Sequence, residues 1–152
     1  MYKLYIEKNI SSQDFLSKIL KENYNIDKYE LIYNEYGKPF LKDNNLFFNI
    51  SHDNNLVVIA ISDKNIGIDI EYLTYNRFVL KKSFNEKEQH KVNDKVNKEK
   101  EFTKIWVMKE AYVKMKGTGI ITDLKDIDTT KIKNIDIIDN EEYIIAICKD
   151  SR

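Results

Sequence analysis

Asn65-Ile66-Gly67-Ile68-Asp69-Ile70-Glu71 alternates between apolar and small or acidic residues. A period of two belongs to a β-strand, whose successive side chains point to opposite faces. Ile66, Ile68 and Ile70 therefore share one face, and Gly67, Asp69 and Glu71 share the other. Two carboxylates side by side repel each other, and a hard divalent cation such as magnesium relieves that crowding while keeping positions for water and phosphate oxygens. The alternation is equally that of an ordinary half-buried strand.

Outward from this stretch, similar alternation marks strands over residues 2–6, 46–51, 56–62, 134–138 and 143–148. Helices fall between them. One starts after Ser11 or Ser12, hydroxyl residues suited to an N-cap, and carries Phe15, Leu16, Ile19 and Leu20 on one stripe. Asn85-Glu86-Lys87-Glu88 has the spacing of a capping box, and the polar stretch that follows, to Glu101, reads as a solvated helix and mobile loop. Over 101–116, Phe102, Ile105, Trp106, the Lys109 stem, Tyr112 and Val113 recur with a helical period, and Gly117 stops the helix. The pattern predicts an α+β fold with antiparallel strands. The hairpin-like segments 47–62 and 135–148 suggest two related halves, 1–62 and 63–152, of a single compact domain.

A chain of 152 residues with 42% hydrophobic residues can bury a core. Lys+Arg and Asp+Glu balance at 25 each, so net charge calls for neither nucleic acid nor an anionic membrane, and any anion site must be local. No stretch approaches the ~18 apolar residues of a membrane span, and Met1-Tyr2-Lys3-Leu4-Tyr5-Ile6-Glu7 lacks the apolar run of a signal peptide. The single Cys148 reads as a buried thiol in a strand, with no intrachain disulfide. A reducing cytoplasm is the expected compartment.

Three further groups could carry chemistry. In Lys109-Glu110-Ala111-Tyr112-Val113-Lys114, Glu110 and Lys114 are i, i+4 partners, suited to a surface ion pair or to a metal ligand with a lysine one turn away for a phosphate oxygen. Phe48-Asn49-Ile50-Ser51-His52-Asp53 ends an apolar strand with a hydroxyl and an imidazole that could face a site mouth. Tyr36-Gly37-Lys38-Pro39-Phe40 is a turn carrying one lysine.

Read in order, Gly37-Lys38-Pro39, Phe48-Asn49-Ile50-Ser51-His52, Gly67-Ile68-Asp69-Ile70-Glu71 and Trp106-Val107-Met108-Lys109-Glu110-Ala111-Tyr112-Val113-Lys114 resemble the motif series of the 4′-phosphopantetheinyl transferases. The surfactin-synthetase-activating branch is the nearest in pattern, and the resemblance covers residues 36–120, behind an N-terminal region shorter than that branch carries. It implies two similar α+β halves packed around a central cleft, and magnesium-dependent transfer of phosphopantetheine from coenzyme A to a serine of an apo acyl- or peptidyl-carrier protein. By position, Asp69, Glu71 and Glu110 match the family's metal ligands and Lys114 its phosphate-contacting lysine. Lys38, Ser51 and His52 match coenzyme A contacts, with Lys109 a further candidate beside them.

The resemblance further implies that Glu110, or a metal-bound water that it positions, accepts the serine proton, by general-base logic. Residues 74–100 lie where the family engages its carrier, with Phe78, Val79, Leu80 and Phe84 as apolar candidates and Lys81 and Lys82 able to steer an acidic partner. Both motif sets lie on one chain, so a self-contained monomer is expected. The carboxylates and lysine alone would also suit a magnesium-dependent phosphohydrolase or nuclease, or a non-catalytic relative binding a carrier or nucleotide.

Overall fold

The computed structural model describes residues 1–119 and 123–151. Ile120, the last residue of the motif-bearing stretch, lies outside them. The chain runs β1 (Tyr2–Lys8), α1 (Ser12–Tyr24), β2 (Leu31–Tyr33), β3 (Pro39–Leu41), β4 (Phe47–Asp53), β5 (Leu56–Ser62), β6 (Ile66–Tyr72), α2 (Arg77–Ser83), α3 (Glu86–Asn93), α4 (Lys98–Lys116), β7 (Ile135–Asp139) and β8 (Tyr143–Lys149). The fold is α+β, with every strand pairing antiparallel.

Two three-stranded sheets share one topology. The first has the order β1-β5-β4 and the second β6-β8-β7, so in each the first strand pairs with the last and the last with the middle one. The β2–β3 hairpin and α2 were not legible from apolar pattern, because runs of three and seven residues are too short to show a period. Asn76 nonetheless caps α2 by accepting from the Val79 amide.

Helix α1 buries the stripe its spacing implies. Helix α4 is instead buried on more than one side, with Val107, Ala111 and Met115 added to Phe102, Ile105 and Val113, and with Trp106 and Tyr112 only half-buried. Ser11 caps α1 through the Asp14 amide, and Phe15, Leu16, Ile19 and Leu20 pack on Phe48, Val57, Ile59 and Ile61 of the first sheet. The opposite face of that sheet, Leu56, Val58 and Ala60, meets Ile66, Ile68, Ile70, Ile145 and Ile147 of the second. Burying one such side chain contributes about 1.5–3 kcal/mol. On the far side of the second sheet, Val107, Ala111 and Met115 of α4 cover Ile144, Ala146 and Cys148.

Gly67 decides how closely α4 approaches. A Cβ on it would overlap the Ala111 carbonyl and the Met115 amide, so only a residue without a side chain fits. Gly117, at φ 70, ends α4 in the left-handed conformation and donates its amide to the Val113 carbonyl.

The sheets also meet at the edge strands β4 and β6, joined by side chains instead of a backbone ladder. Asn49 Oδ1 accepts the Ile68 amide at 2.8 Å, Ser51 Oγ the Ile70 amide at 3.2 Å, and Asp53 Oδ2 the Tyr72 amide at 2.8 Å. Period two on one strand matches period two on the other. Without these acceptors three amides at the seam would lose their partners.

Asn49→Ala should therefore destabilise the chain by about 1–3 kcal/mol, since a small side chain leaves the Ile68 amide buried without an acceptor. Urea unfolding measures the loss. A change below about 0.5 kcal/mol, ordinary for a surface substitution, would show that the seam does not depend on this bond.

Candidate active site

The β4–β6 seam and the face of α4 above it bring the acidic residues together. Asp69 lies between strand and helix, accepts from Ser51 Oγ at 3.1 Å through Oδ1, and has no hydrogen-bond partner for its buried Oδ2. Burial pushes its carboxyl up to about 8. Glu71 and Glu110 add to that rise, against the pull of Lys114 and the Ser51 bond. Burial likewise raises Glu71 to about 7, with the Asp53 carboxylate beside it contributing next. The Trp106 side chain beside Glu71 opposes the rise.

Glu110 is raised by burial and drawn back by Lys114. The Lys114 ammonium donates to the Ile50 carbonyl at 2.6 Å, is lowered by burial, and is held up by Asp69, Glu110 and Glu71 in that order. One lysine thus sits among three carboxylates that burial disfavours as charges. The donor set suits a hard cation: all oxygen, anionic, and with one buried atom left unpaired. Among the described residues no group of three or more carboxylate, imidazole or thiol side chains stands close enough together to hold a metal ion by itself. Water and ligand oxygens would have to supply the remaining positions, as magnesium sites ordinarily allow.

Ser51 joins this group, whereas Lys38 sits at its margin. The Lys38 ammonium donates to Asn65 Oδ1 at 2.7 Å, the Ile66 carbonyl at 3.0 Å and the Met115 carbonyl at 3.1 Å. Burial, with Lys114 nearby, lowers it to about 8. It ties the Gly37-Lys38-Pro39 turn to the end of α4, and it shares a cavity of about 280 Å³ with Asn49 and Lys114. A second cavity, of about 760 Å³, is lined by Phe78, Trp106, Glu110, Lys114 and Leu124.

His52 and Lys109, both grouped with the coenzyme contacts on sequence, are placed elsewhere. His52 follows Ser51 by one residue, so the pleat turns it to the opposite face, where it is exposed and borders a cavity with Asn9, Ser11 and Asn54. Lys109 points away from Glu110 into the protein. Its ammonium, wholly buried, lies 2.7 Å from Glu88 and donates to the carbonyls of Leu124 at 2.6 Å and Ile127 at 2.8 Å. All three ammonium donors are used within the fold.

Glu88 is shared between several partners. Its Oε1 also accepts the Asn85 amide in the capping box, and its Oε2 accepts the Thr129 hydroxyl at 2.7 Å and amide at 3.2 Å. Leu80 and Phe84 are buried beside this network, with Phe84, Phe102 and Trp106 stacked. Of the apolar residues in 74–100 named from sequence, Phe78 is exposed and Val79 half-buried.

Asn49, Asp53 and the Trp106 side chain are the site residues that sequence reasoning passed over. Their signal was present: Asn49 and Asp53 flank Ser51 at the strand period.

Comparison with known proteins bears on this geometry. Residues 65–148 match the sequence profile of the 4′-phosphopantetheinyl transferase superfamily. The 4′-phosphopantetheinyl transferase gsp of Aneurinibacillus migulanus is 31% identical over 139 residues, covering 87% of this chain and 58% of that protein. The 4′-phosphopantetheinyl transferase Sfp of Bacillus subtilis is 32% identical over 108 residues, covering 67% and 48% respectively. HetI of Nostoc, also named a 4′-phosphopantetheinyl transferase, is 40% identical over 98 residues, covering 58% of this chain and 41% of that one. The chain spans about half the length of the curated relatives it matches. No described helix is long and apolar enough to cross a membrane.

Two outcomes are expected from the buried charges. Lys109→Ala should cost about 3–5 kcal/mol, because Glu88 would be left charged and buried, and replacing both partners by apolar residues should recover much of that loss in urea unfolding. Second, with a chelator present, folding raises the Asp69 carboxyl from an ordinary value of about 4 to about 8. The folded chain then holds more protons than the unfolded one in that window, so the Asp69 contribution to stability falls as pH rises through it. Asp69→Asn should accordingly gain melting temperature relative to the parent chain between pH 5 and pH 8; a constant difference would contradict this.

Proposed function

Because the chain belongs to the 4′-phosphopantetheinyl transferase superfamily, we propose that it transfers the phosphopantetheine arm of coenzyme A to a serine of an apo acyl- or peptidyl-carrier protein, releasing 3′,5′-ADP. The observation that carries this reading is the grouping of Asp69, Glu71 and Glu110 around Lys114, with one Asp69 oxygen buried and unpartnered. The transferase names of the relatives point the same way.

In this reading Asp69, Glu71 and Glu110 would hold Mg²⁺, which when bound offsets the charge of the coenzyme's pyrophosphate and of the leaving 3′,5′-ADP. The rest of the chemistry falls to this chain's own groups. Ser51 fixes the Asp69 carboxylate by donating to Oδ1. Lys114, anchored by the Ile50 carbonyl, would offer its charge and further donor capacity to a phosphate oxygen.

The serine oxygen attacks the phosphorus that bears the pantetheine, and the bond from that phosphorus to the 3′,5′-ADP oxygen breaks. Glu110 takes the serine proton. Burial holds its carboxyl above the ordinary carboxylate range, which brings it nearer the working pH of a general base.

The carrier would dock along α2. Phe78 stands exposed there, the Lys82 ammonium lies 5.8 Å from its ring centre, and Lys81 adds a second exposed positive charge. Such charges raise encounter rates with an acidic partner more than final affinity. One chain supplies every group named, in keeping with a monomer.

Incubating the chain with magnesium, coenzyme A and an apo carrier should add the mass of one phosphopantetheine to the carrier, and no mass gain would sink the proposal. Glu110→Gln should lower that rate by at least about 100-fold, the lower bound of general-base contributions, while folding cooperatively. Removing both Lys81 and Lys82 should slow modification chiefly at low salt. An equal effect at high salt would rule out steering.

A further inference from the structure

Asp53 has no part in the ligand set described so far, yet it stands on the same seam. Ser51 reaches both the Ile70 amide and the carboxylate of the neighbouring residue, Asp69. One strand period later, Asp53 repeats the arrangement: its Oδ2 accepts the Tyr72 amide at 2.8 Å, which sets its carboxylate beside Glu71, where its charge adds to the effect of burial on that carboxyl. A carboxylate placed against another carboxylate is unfavourable in a fold that had a neutral alternative available. Ser51 itself shows that a hydroxyl satisfies the same kind of amide.

We propose that Asp53 is a fourth carboxylate of the cation site, held by the Tyr72 amide through Oδ2 and keeping its other oxygen for a cation bound beside Glu71. The inference rests on the metal-site reading given above. Acidity alone would not support it. The independent observation is the buried Asp69 Oδ2, which has no protein partner and lies within the electrostatic reach of Glu71 and Glu110.

The consequence concerns charge. Asp69, Glu71 and Glu110 in ionised form exceed Lys114 by two negative charges, which one divalent cation would neutralise. Asp53 adds another negative charge, so the site attracts a divalent cation before any phosphate ligand arrives. Ligand charge count is one of the quantities that sets cation affinity in oxygen sites.

The test titrates the complete chain with Mn²⁺ in the absence of coenzyme A and follows free Mn²⁺ by electron paramagnetic resonance. Asp53→Asn keeps an oxygen for the Tyr72 amide but removes the charge, and Asp53→Ser removes both charge and reach while keeping a hydroxyl. Circular dichroism melts confirm folding. Both variants should bind Mn²⁺ about tenfold more weakly than the parent chain, as expected when one anionic ligand is lost, with Asp69→Asn weakened as the reference. Parent-like affinity in both Asp53 variants, with Asp69→Asn weakened, would overturn the role of Asp53 and leave a three-carboxylate site. Absence of Mn²⁺ binding by the parent chain would overturn it as well. The carrier mass assay reads the transferase proposal separately, because failure there leaves the Mn²⁺ comparison intact.

Discussion

Three side-chain acceptors on one edge strand, aligned with three amides on another, are the constraint from which the rest follows. Asn49, Ser51 and Asp53 meet Ile68, Ile70 and Tyr72 because both strands advance with the same pleat. An ordinary ladder would have satisfied the amides but joined the two sheets into one surface. Side-chain acceptors instead let the sheets stack, with the isoleucines of β6 packed inward and its acidic residues outward under α4. The junction between the two sheets and the scaffold of the acidic group are therefore one structure.

Buried charge is handled in two contrasting ways within a few residues of α4. Lys109 and Glu88 are fully hydrogen-bonded, and their network fastens α3 and the 124–129 segment to the helix. Asp69 and Glu110, on the opposite face, are left in an environment that disfavours their ionised forms. Satisfied pairs of the first kind hold a fold in one arrangement. Strained groups of the second kind concentrate where a ligand is needed to complete them.

Much of this architecture was legible in the apolar patterning of the strands and the helical spacing of Phe102, Ile105 and Val113, because these elements are held by the apolar surface they bury. The short hairpin at Leu31–Tyr33 and Pro39–Leu41 left no such trace. A lysine beside Glu110 suggests phosphate, and nothing in the sequence signals that Lys109 pairs with Glu88, which the capping box already accounted for. Glu88 performs both tasks, and only the packing of α3 on α4 reveals the second. The rule that separates Asp69 from Ile68 also separates His52 from Ser51, so these two neighbours face different sides of the strand.

Gly67 has a mechanical meaning beyond its fit. With no side chain there, the helix backbone rests directly on the strand backbone at Ala111 and Met115, immediately after Glu110 and on either side of Lys114. Rigid backbone, not a compliant rotamer, thus acts as the spacer between the carboxylates of the strand and the Glu110 carboxylate of the helix. A spacer without torsional freedom cannot be retuned by repacking, so the gap across which these charges face one another is set during folding, before any ligand enters it.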